Sequence, residues 1–407
     1  YKRELLEHVS SRFRIRVSPS LPLSLVHLAV DDESSESSRS TPQRQSLIAQ
    51  SIYSMKLAWQ AMHKLTPHVY FDTTGCAFTF LVARVLAGCN VAAYVHYPTI
   101  STDMLSLVWE RRPSYNNDSS ITRNSFYTYL KLLYYILLAI LYGLVGSLAN
   151  LTLVNSSWTF GHISFLWRFA PKIQVVFPPC DTLDLEDLSL DAKRENIVLS
   201  IGQFRPEKDH KLQLQAFSIF LSRWNKCNPD KIGSDQAPKL VLVGSCRDHG
   251  DEIRVKELQD LVDQYSNLSS DSVHFVLNQP YPVLKAWLQT AKVGMHTMWN
   301  EHFGIGVVEM MAAGLITIAH NSGGPKSDII VPLLQEQNGH PQRTGYLATS
   351  AEEYADAMEK AFGDGSVEHE KINMKMRVAA RASSRSFSTE IFAQSFKDAL
   401  ISSEILR

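Results

Sequence analysis

The segment Asn300-Glu301-His302-Phe303-Gly304-Ile305-Gly306-Val307-Val308-Glu309 sets two carboxylates eight positions apart, across the point where a glycine-marked loop becomes a helix. Glu301 falls in the loop and Glu309 in the second helical turn. Between them lie the free amides and positive dipole end of a helix N-terminus, where phosphate binds readily. Such an arrangement suits a sugar nucleotide. The competing reading makes Glu309 a solvated helix residue and Glu301 a surface acid. The surrounding Val307, Val308, Met310, Met311, Ala312 and Ala313 favour a site, because a helix this apolar is buried on most sides. A buried Glu309 then needs a partner.

A second group of residues carries positive charge. Gly202-Gln203-Phe204-Arg205-Pro206-Glu207-Lys208-Asp209-His210 follows an apolar strand and precedes a helical pattern. Arg205 and Lys208 are suited to grip a diphosphate, which gains charge as its bond to a sugar breaks. The alternative is a solvated basic turn. The turn Ala319-His320-Asn321-Ser322-Gly323-Gly324-Pro325 ends another strand, and Gly323 and Gly324 allow backbone to approach a ligand closely. His96 also follows a strand, with Thr99, Ser101, Thr102 and Asp103 behind it. A lone histidine is usually structural, but this placement makes His96 a candidate for an acceptor-side role, with His302 the second candidate. There is no GxxxxGK[ST] loop, no HExxH and no zinc-spaced cluster, so no metal is expected. Gly304 to Glu309 approaches the dinucleotide fingerprint, with Asp328 at the distance of a ribose acid, but Glu309 occupies the place of the third glycine, so a dehydrogenase is discounted.

These loops need a scaffold that gathers strand ends. Apolar runs of strand type occur at Val69 to Phe71, Val91 to Val95, Leu151 to Val154, Ile173 to Phe177, Ile197 to Ile201, Leu240 to Val243, Val273 to Val276, Val293 to Thr297 and Leu315 to Ala319. They alternate with helix-length segments, which predicts an α/β architecture with mostly parallel sheets, whose ligands bind beyond the carboxyl ends of the strands. At 407 residues two domains are expected, and Phe177-Pro178-Pro179 marks the boundary, giving domains 1–178 and 179–407. Thr182 to Glu195 reads as an acidic loop, Asp31 to Gln45 as a mobile serine-rich insertion and Cys227 to Pro238 as a surface excursion.

A net charge of -1 and a pI near 7 argue against nucleic acid as a partner. Five scattered cysteines without CxxC spacing read as reduced thiols in a cytosolic environment. The chain starts at Tyr1 without an initiator methionine, so it reads as a fragment. Leu132 to Val154 carries no formal charge and by length alone spans a bilayer. Gly143, Gly146, Ser147 and Asn150 interrupt it, however. The expected element is a helix buried in the protein or lying in the membrane interface, followed by a short buried strand.

The cationic strand-end loop, the E-x7-E glutamates and the Gly-Gly turn together resemble the retaining, nucleotide-sugar-dependent glycosyltransferases with two Rossmann-like domains facing a central cleft (the GT-B type), whose C-terminal helix crosses back to the N-terminal domain. The strings His96 to Leu105, Gly202 to Lys208, Trp299 to Glu309 and His320 to Asp328 are more closely similar to the eukaryotic α-1,2-mannosyltransferases that extend the dolichol-linked oligosaccharide. The resemblance covers essentially the whole chain. It implies GDP-mannose as donor substrate without a further cofactor, and a dolichol-diphosphate-linked mannose oligosaccharide as acceptor. It also implies the cytosolic face of the endoplasmic reticulum membrane, with other mannosyltransferases of the same assembly line as partners. By the family pattern Glu309 binds the ribose, Glu301 the transferring mannose, and Arg205 and Lys208 the diphosphate. Gly202, Phe303, Gly304 and Ile305, with His302, Gly323 and Gly324, line the donor, and His96 lies on the acceptor side. Two departures stand out: Gln203 occupies the place where the wider superfamily has its arginine, and the family's N-terminal glycine-rich loop and membrane anchor are not found in the chain. A non-catalytic nucleotide-sugar-binding membrane subunit and a same-fold transferase with a soluble acceptor are the alternatives.

Overall fold

The structure is a computed structural model that describes residues 24, 26, 28, 46–109, 125–334 and 341–406; the serine-rich segment 31–45 lies outside them. The first half opens with helix α1 (Leu47–Lys64), capped by the Ser46 hydroxyl on the Ala49 amide, and leads into strand β1 (Val69–Asp72). Strand β2 (Asn90–Val95), helix α2 (Thr102–Trp109), helix α3 (Ser125–Gly146), strand β3 (Leu151–Val154), helix α4 (Ser157–Leu166) and strand β4 (Ile173–Val175) follow. The four strands form one parallel sheet in the order β1-β2-β3-β4. Their near-continuous apolar runs fit a sheet covered on both faces.

The second half contains α5 (Thr182–Glu186), β5 (Glu195–Ile201), α6 (His210–Cys227), β6 (Lys239–Gly244), α7 (His249–Gln264), β7 (Val273–Leu277), α8 (Tyr281–Thr290) and β8 (Ala291–His296). It continues through α9 (Ile305–Ala312), β9 (Ile316–His320), β10 (Tyr346–Ala348), α10 (Ala351–Phe362), α11 (Val367–Ser384) and α12 (Thr389–Ser402). Its six strands are all parallel, in the order β10-β9-β8-β5-β6-β7. The winding starts at β5, runs outward through β6 and β7, then returns to β8 on the other side of β5. The order reverses there, so the carboxyl ends of β5 and β8 flank the crevice where doubly wound sheets bind ligands. Phe217, Phe220, Tyr354 and Met358 from α6 and α10 fill one face of this sheet, and Leu288, Met310 and Ala312 the other.

Every strand anticipated from the apolar runs is present, with ends shifted by at most two residues. The expected acidic loop after the proline pair contains α5 instead, because Leu185 and Leu188 have partners in the buried cluster around Met310. Strand β10 was not anticipated, since three residues carry little periodicity. Segment 132–154 is two elements, the C-terminal part of α3 and the strand β3. Tyr135, Leu138, Ala139 and Tyr142 bury one face of α3. The terminal helix α12 crosses back to cover the first sheet: Phe392 lies edge-on to Tyr94 at 6.2 Å, and Phe396 lies 5.6 Å from Phe71.

Candidate functional site

Because β5 and β8 are neighbours, the loops that follow them meet. Lys208, seven residues beyond the end of β5, donates from Nζ to Glu301 Oε2 at 2.6 Å, and Glu301 lies five residues beyond the end of β8. His296, the last residue of β8, places its Nε2 3.0 Å from the same oxygen. Thr297 fastens the two loops together: its hydroxyl donates to the Lys208 carbonyl at 2.7 Å and accepts from Gln213 Nε2 at 2.8 Å. Asp209, at φ 48, caps α6 through the Leu212 amide and so turns Lys208 back across the strand ends. Gly202 lines this turn, with the Lys208 side chain against it. Arg205 stands apart. Its guanidinium is 41% exposed and contacts Glu207 at 3.4 Å, at the rim and outside the Lys208–Glu301 pair.

The two glutamates have opposite electrostatics. Burial opposes ionisation of Glu301, but the hydrogen bond and charge from His296 together with the Lys208 ammonium outweigh it and hold the carboxyl well below its usual range. Glu309, in the second turn of α9, is pushed up to about 7 by burial, with the Asp181 carboxylate adding to the effect. Glu309 is half-buried, and the partner expected for it is missing: among the described residues no ion pair reaches it, so protonation takes the partner's place. Ile305, one turn earlier on the same face, is 45% exposed, which opens this face of α9 to the cleft.

This arrangement has a consequence for stability. The folded value of Glu309 lies above its ordinary 4.5, so its contribution is complete below about pH 4.5 and is lost as pH rises through about 7. The loss amounts to roughly 3 kcal/mol. Urea unfolding from pH 5 to 8 is therefore expected to show Glu309→Gln gaining on the wild type as pH rises; a constant difference across that range would remove the assignment.

The Glu301 loop is held by its own half of the chain. Gly304 caps α9 at φ 112, a conformation that side chains rarely adopt. Gly323 is also left-handed, and a Cβ there would fall on the Glu301 carbonyl oxygen; one at Gly324 would press on the Phe303 backbone. Sequence reasoning assigned these glycines a close approach to ligand, whereas the approach they permit is to the backbone of residues 301–303. The Gly324 amide donates to the Glu301 carbonyl at 2.8 Å, and Asn300 N donates to Ser322 Oγ at 2.8 Å, which lies 2.7 Å from His320 Nδ1. Phe303 anchors the loop below, stacked on Phe177 at 5.8 Å.

The first half of the chain supplies the opposite wall. The His302 ring sits 4.2 Å from Tyr97 and 5.4 Å from Trp158, and burial pushes its pKa down to about 4, so it is neutral at physiological pH. His96 follows β2 with its ring edge-on to Tyr94 at 4.7 Å, and burial lowers its pKa. No side-chain hydrogen bond joins it to the Glu301 loop among the described residues. Asp328, the ribose acid of a dehydrogenase reading, is engaged elsewhere, accepting from the Ser157 amide at 2.9 Å at the start of α4. His296 escaped sequence reasoning, although the rule that marked His96, a histidine at a strand's carboxyl end, applies equally to it.

Both halves of the chain resemble known proteins. Residues 1–167 match the family described as ALG11 mannosyltransferase N-terminus, and residues 186–382 match glycosyl transferases group 1. The human GDP-Man:Man(3)GlcNAc(2)-PP-Dol alpha-1,2-mannosyltransferase is 45% identical over 86% of this chain and 68% of its own length. The Dictyostelium discoideum protein of the same name is 40% identical over 88% and 68%. Among solved structures, alpha,alpha-trehalose 6-phosphate synthase from Burkholderia multivorans superposes with a TM-score of 0.62 at 13% identity, over 89% of this chain and 78% of that one. Anabaena HepE in complex with UDP and glucose gives 0.57 at 16% identity, over 89% and 84%. These likenesses show the two-domain glycosyltransferase fold. The identity to the curated relatives goes further: the chain belongs to the family of GDP-Man:Man(3)GlcNAc(2)-PP-Dol alpha-1,2-mannosyltransferases.

Proposed function

We propose that this chain transfers mannose from GDP-mannose to a dolichol-diphosphate-linked Man3GlcNAc2 oligosaccharide in α-1,2 linkage, a step in assembling the N-glycan precursor. The observation that carries the site assignment is the Lys208–Glu301–His296 cluster beside the α9 N-terminus, at the point where the strand order reverses. Both contacts to Glu301 fall on Oε2, which leaves Oε1 to accept from a mannose hydroxyl. The Lys208 ammonium and the amides from Phe303 to Ile305 face the diphosphate, where negative charge develops as GDP departs. Glu309 in its ionised form accepts from the ribose hydroxyls. Arg205, at the rim, meets the outer phosphate, and the acceptor hydroxyl attacks from the side of the departing GDP, next to His96, its proton passing to the phosphate oxygen released from the mannose. The donor's configuration is thereby retained.

Incubating the purified protein with labelled GDP-mannose and a lipid-linked trimannosyl chitobiose acceptor tests this reading. Labelled tetra- or pentamannosyl lipid sensitive to an α-1,2-mannosidase is the expected product. Binding of GDP with no transfer to any lipid acceptor would instead indicate a non-catalytic subunit.

The acceptor's polyprenyl chain calls for a membrane surface, and α3 offers the means to meet one. Thr128 to Gly146 is long and apolar enough to cross a bilayer, yet only 33% of it is buried. Leu130, Leu133, Leu137, Ile140, Leu141 and Leu144 all lie more than half exposed on one face. With the other face packed against the first sheet, α3 lies in the lipid interface on the cytosolic side of the endoplasmic reticulum. Each leucine withdrawn from lipid forfeits roughly 2 kcal/mol. The pair Leu137→Glu and Leu141→Glu is therefore expected to lose co-flotation with phosphatidylcholine vesicles while keeping its melting temperature; undiminished flotation would place the membrane contact elsewhere.

A further inference from the structure

The residues on either side of Glu301 are gripped from across the cleft. Asn300 adopts a left-handed backbone at φ 50, and its Nδ2 donates to Asp103 Oδ2 at 2.5 Å. Asp103 belongs to the first turn of α2, in the other half of the chain. The same Asp103 oxygen lies 3.5 Å from His162 Nε2, and the opposite nitrogen of that ring, Nδ1, lies 2.7 Å from the Thr102 hydroxyl. Two neighbouring residues of α2 thus clamp both ring nitrogens of His162, and Asp103 also takes the Asn300 amide. On the far side of Glu301, the His302 ring enters the slot between Tyr97 and Trp158. Trp158 in turn packs edge-on against His162 at 4.2 Å.

We infer that Asp103 is a positioning residue for mannosyl transfer: through Asn300 it holds the Glu301 carboxylate in register with the donor only while the two halves of the molecule are together. The inference rests on the reading of Glu301 as the sugar-facing acid. The chemistry explains why an aspartate stands here. Asn300 Nδ2 is a donor and His162 Nε2 lies 3.5 Å from the same oxygen, and a carboxylate is the one short side chain that offers only acceptors to both. The left-handed conformation of Asn300 is uncommon for a residue with a side chain and persists only when its surroundings hold it. Ser322 holds its amide from one half and Asp103 its side chain from the other. Among the described residues no side-chain hydrogen bond joins Asp103 or Asn300 to the Lys208 loop, so loss of the clip is expected to misalign the carboxylate without removing a contact of that loop to the nucleotide.

The test uses the full chain with GDP-mannose and the lipid-linked acceptor. Asp103→Ala and Asn300→Ala are each expected to lower kcat by about 100-fold, the scale of a misplaced reacting group, while the Kd for GDP stays within about twofold. The double variant is expected to be no worse than either single one, since both break the same link. Asp103→Asn, which presents an amide N–H to one of the two donors, is expected to recover only part of the rate. Single losses that multiply in the double variant would overturn the proposal, as would a kcat within threefold of wild type in Asn300→Ala. A fall in GDP affinity matching the fall in kcat would do so too. Glu301→Gln measured alongside separates the two ideas: if that variant keeps its turnover, the assignment of Glu301 has failed, whatever the clip variants do.

Discussion

Glu301→Gln is expected to lower mannosyl transfer by about 1,000-fold, with the protein still folded and still binding GDP. The carboxylate is buried, yet His296 and Lys208 keep it ionised, and both meet it through a single oxygen. Glutamine fills the same space and retains an oxygen for the Lys208 hydrogen bond. It removes the negative charge that balances Lys208 and that accepts from the sugar. Lys208 and Glu301 are 21% and 14% exposed, so the pair is largely shielded, and breaking such a pair destabilises by up to about 3 kcal/mol. In a protein of this size that is a fall of roughly 4 °C in melting temperature, measurable by scanning fluorimetry and separable from catalysis. Initial rates at saturating GDP-mannose give kcat, and calorimetry gives the GDP affinity. Turnover within fivefold of wild type would remove Glu301 from the chemistry.

Lys208→Met carries the second largest expected effect. Methionine keeps most of the aliphatic stem that packs beside Gly202 and removes the ammonium. A point charge facing the departing diphosphate stabilises it most as its charge grows, so kcat/KM is expected to fall by about 100- to 1,000-fold and GDP affinity by about tenfold. The variant also strips Glu301 of its counter-charge and leaves His296, among the described residues, as the remaining hydrogen-bond partner of its carboxylate. Arg205→Met is the control. Because that guanidinium is 41% exposed at the rim and contacts Glu207, its loss is expected to cost less than about tenfold. If Arg205→Met proves the more damaging change, the diphosphate sits at the rim and the roles of the two cations are exchanged.

Much of the architecture is legible along the chain, and the reason is local. A strand covered on both faces must be apolar throughout, and a parallel strand must be followed by a crossover helix, so apolar runs and the polar loops that end them stand out without tertiary information. The E-x7-E spacing is legible for a similar reason: a glycine-capped helix start fixes how far apart Glu301 and Glu309 lie, since Glu301 is in the turn and Glu309 in the helix that directly follows it. The apolar surroundings of Glu309 announced its burial. They could not announce that burial goes uncompensated, because whether a cation reaches it depends on segments distant in the chain, and the charge that adds to the effect of burial is the Asp181 carboxylate.

Contacts between distant segments decided the remainder. Lys208 and Glu301 are separated by 93 residues and meet because β8 returns beside β5; had it been added outside β7, the same motifs would lie three strands apart. His296 gains its meaning from that pairing alone. The glycines at 323 and 324, read as letting backbone approach a ligand closely, give room to the backbone around Glu301, since β9 runs beside β8 and brings its loop against the neighbouring one. Asp103 and Asn300 meet across 197 residues, and no periodicity links them. Local sequence marked out every strand of the two parallel sheets except β10, and the side chains of the loops that follow them, because these depend on short-range sterics and on the burial pattern of each element. Tertiary structure alone decided which loops face one another, and with that the protonation of each glutamate and the grip on the catalytic loop, because strand order and domain apposition are set by long-range packing and charge falls off too steeply with distance to be read along the chain.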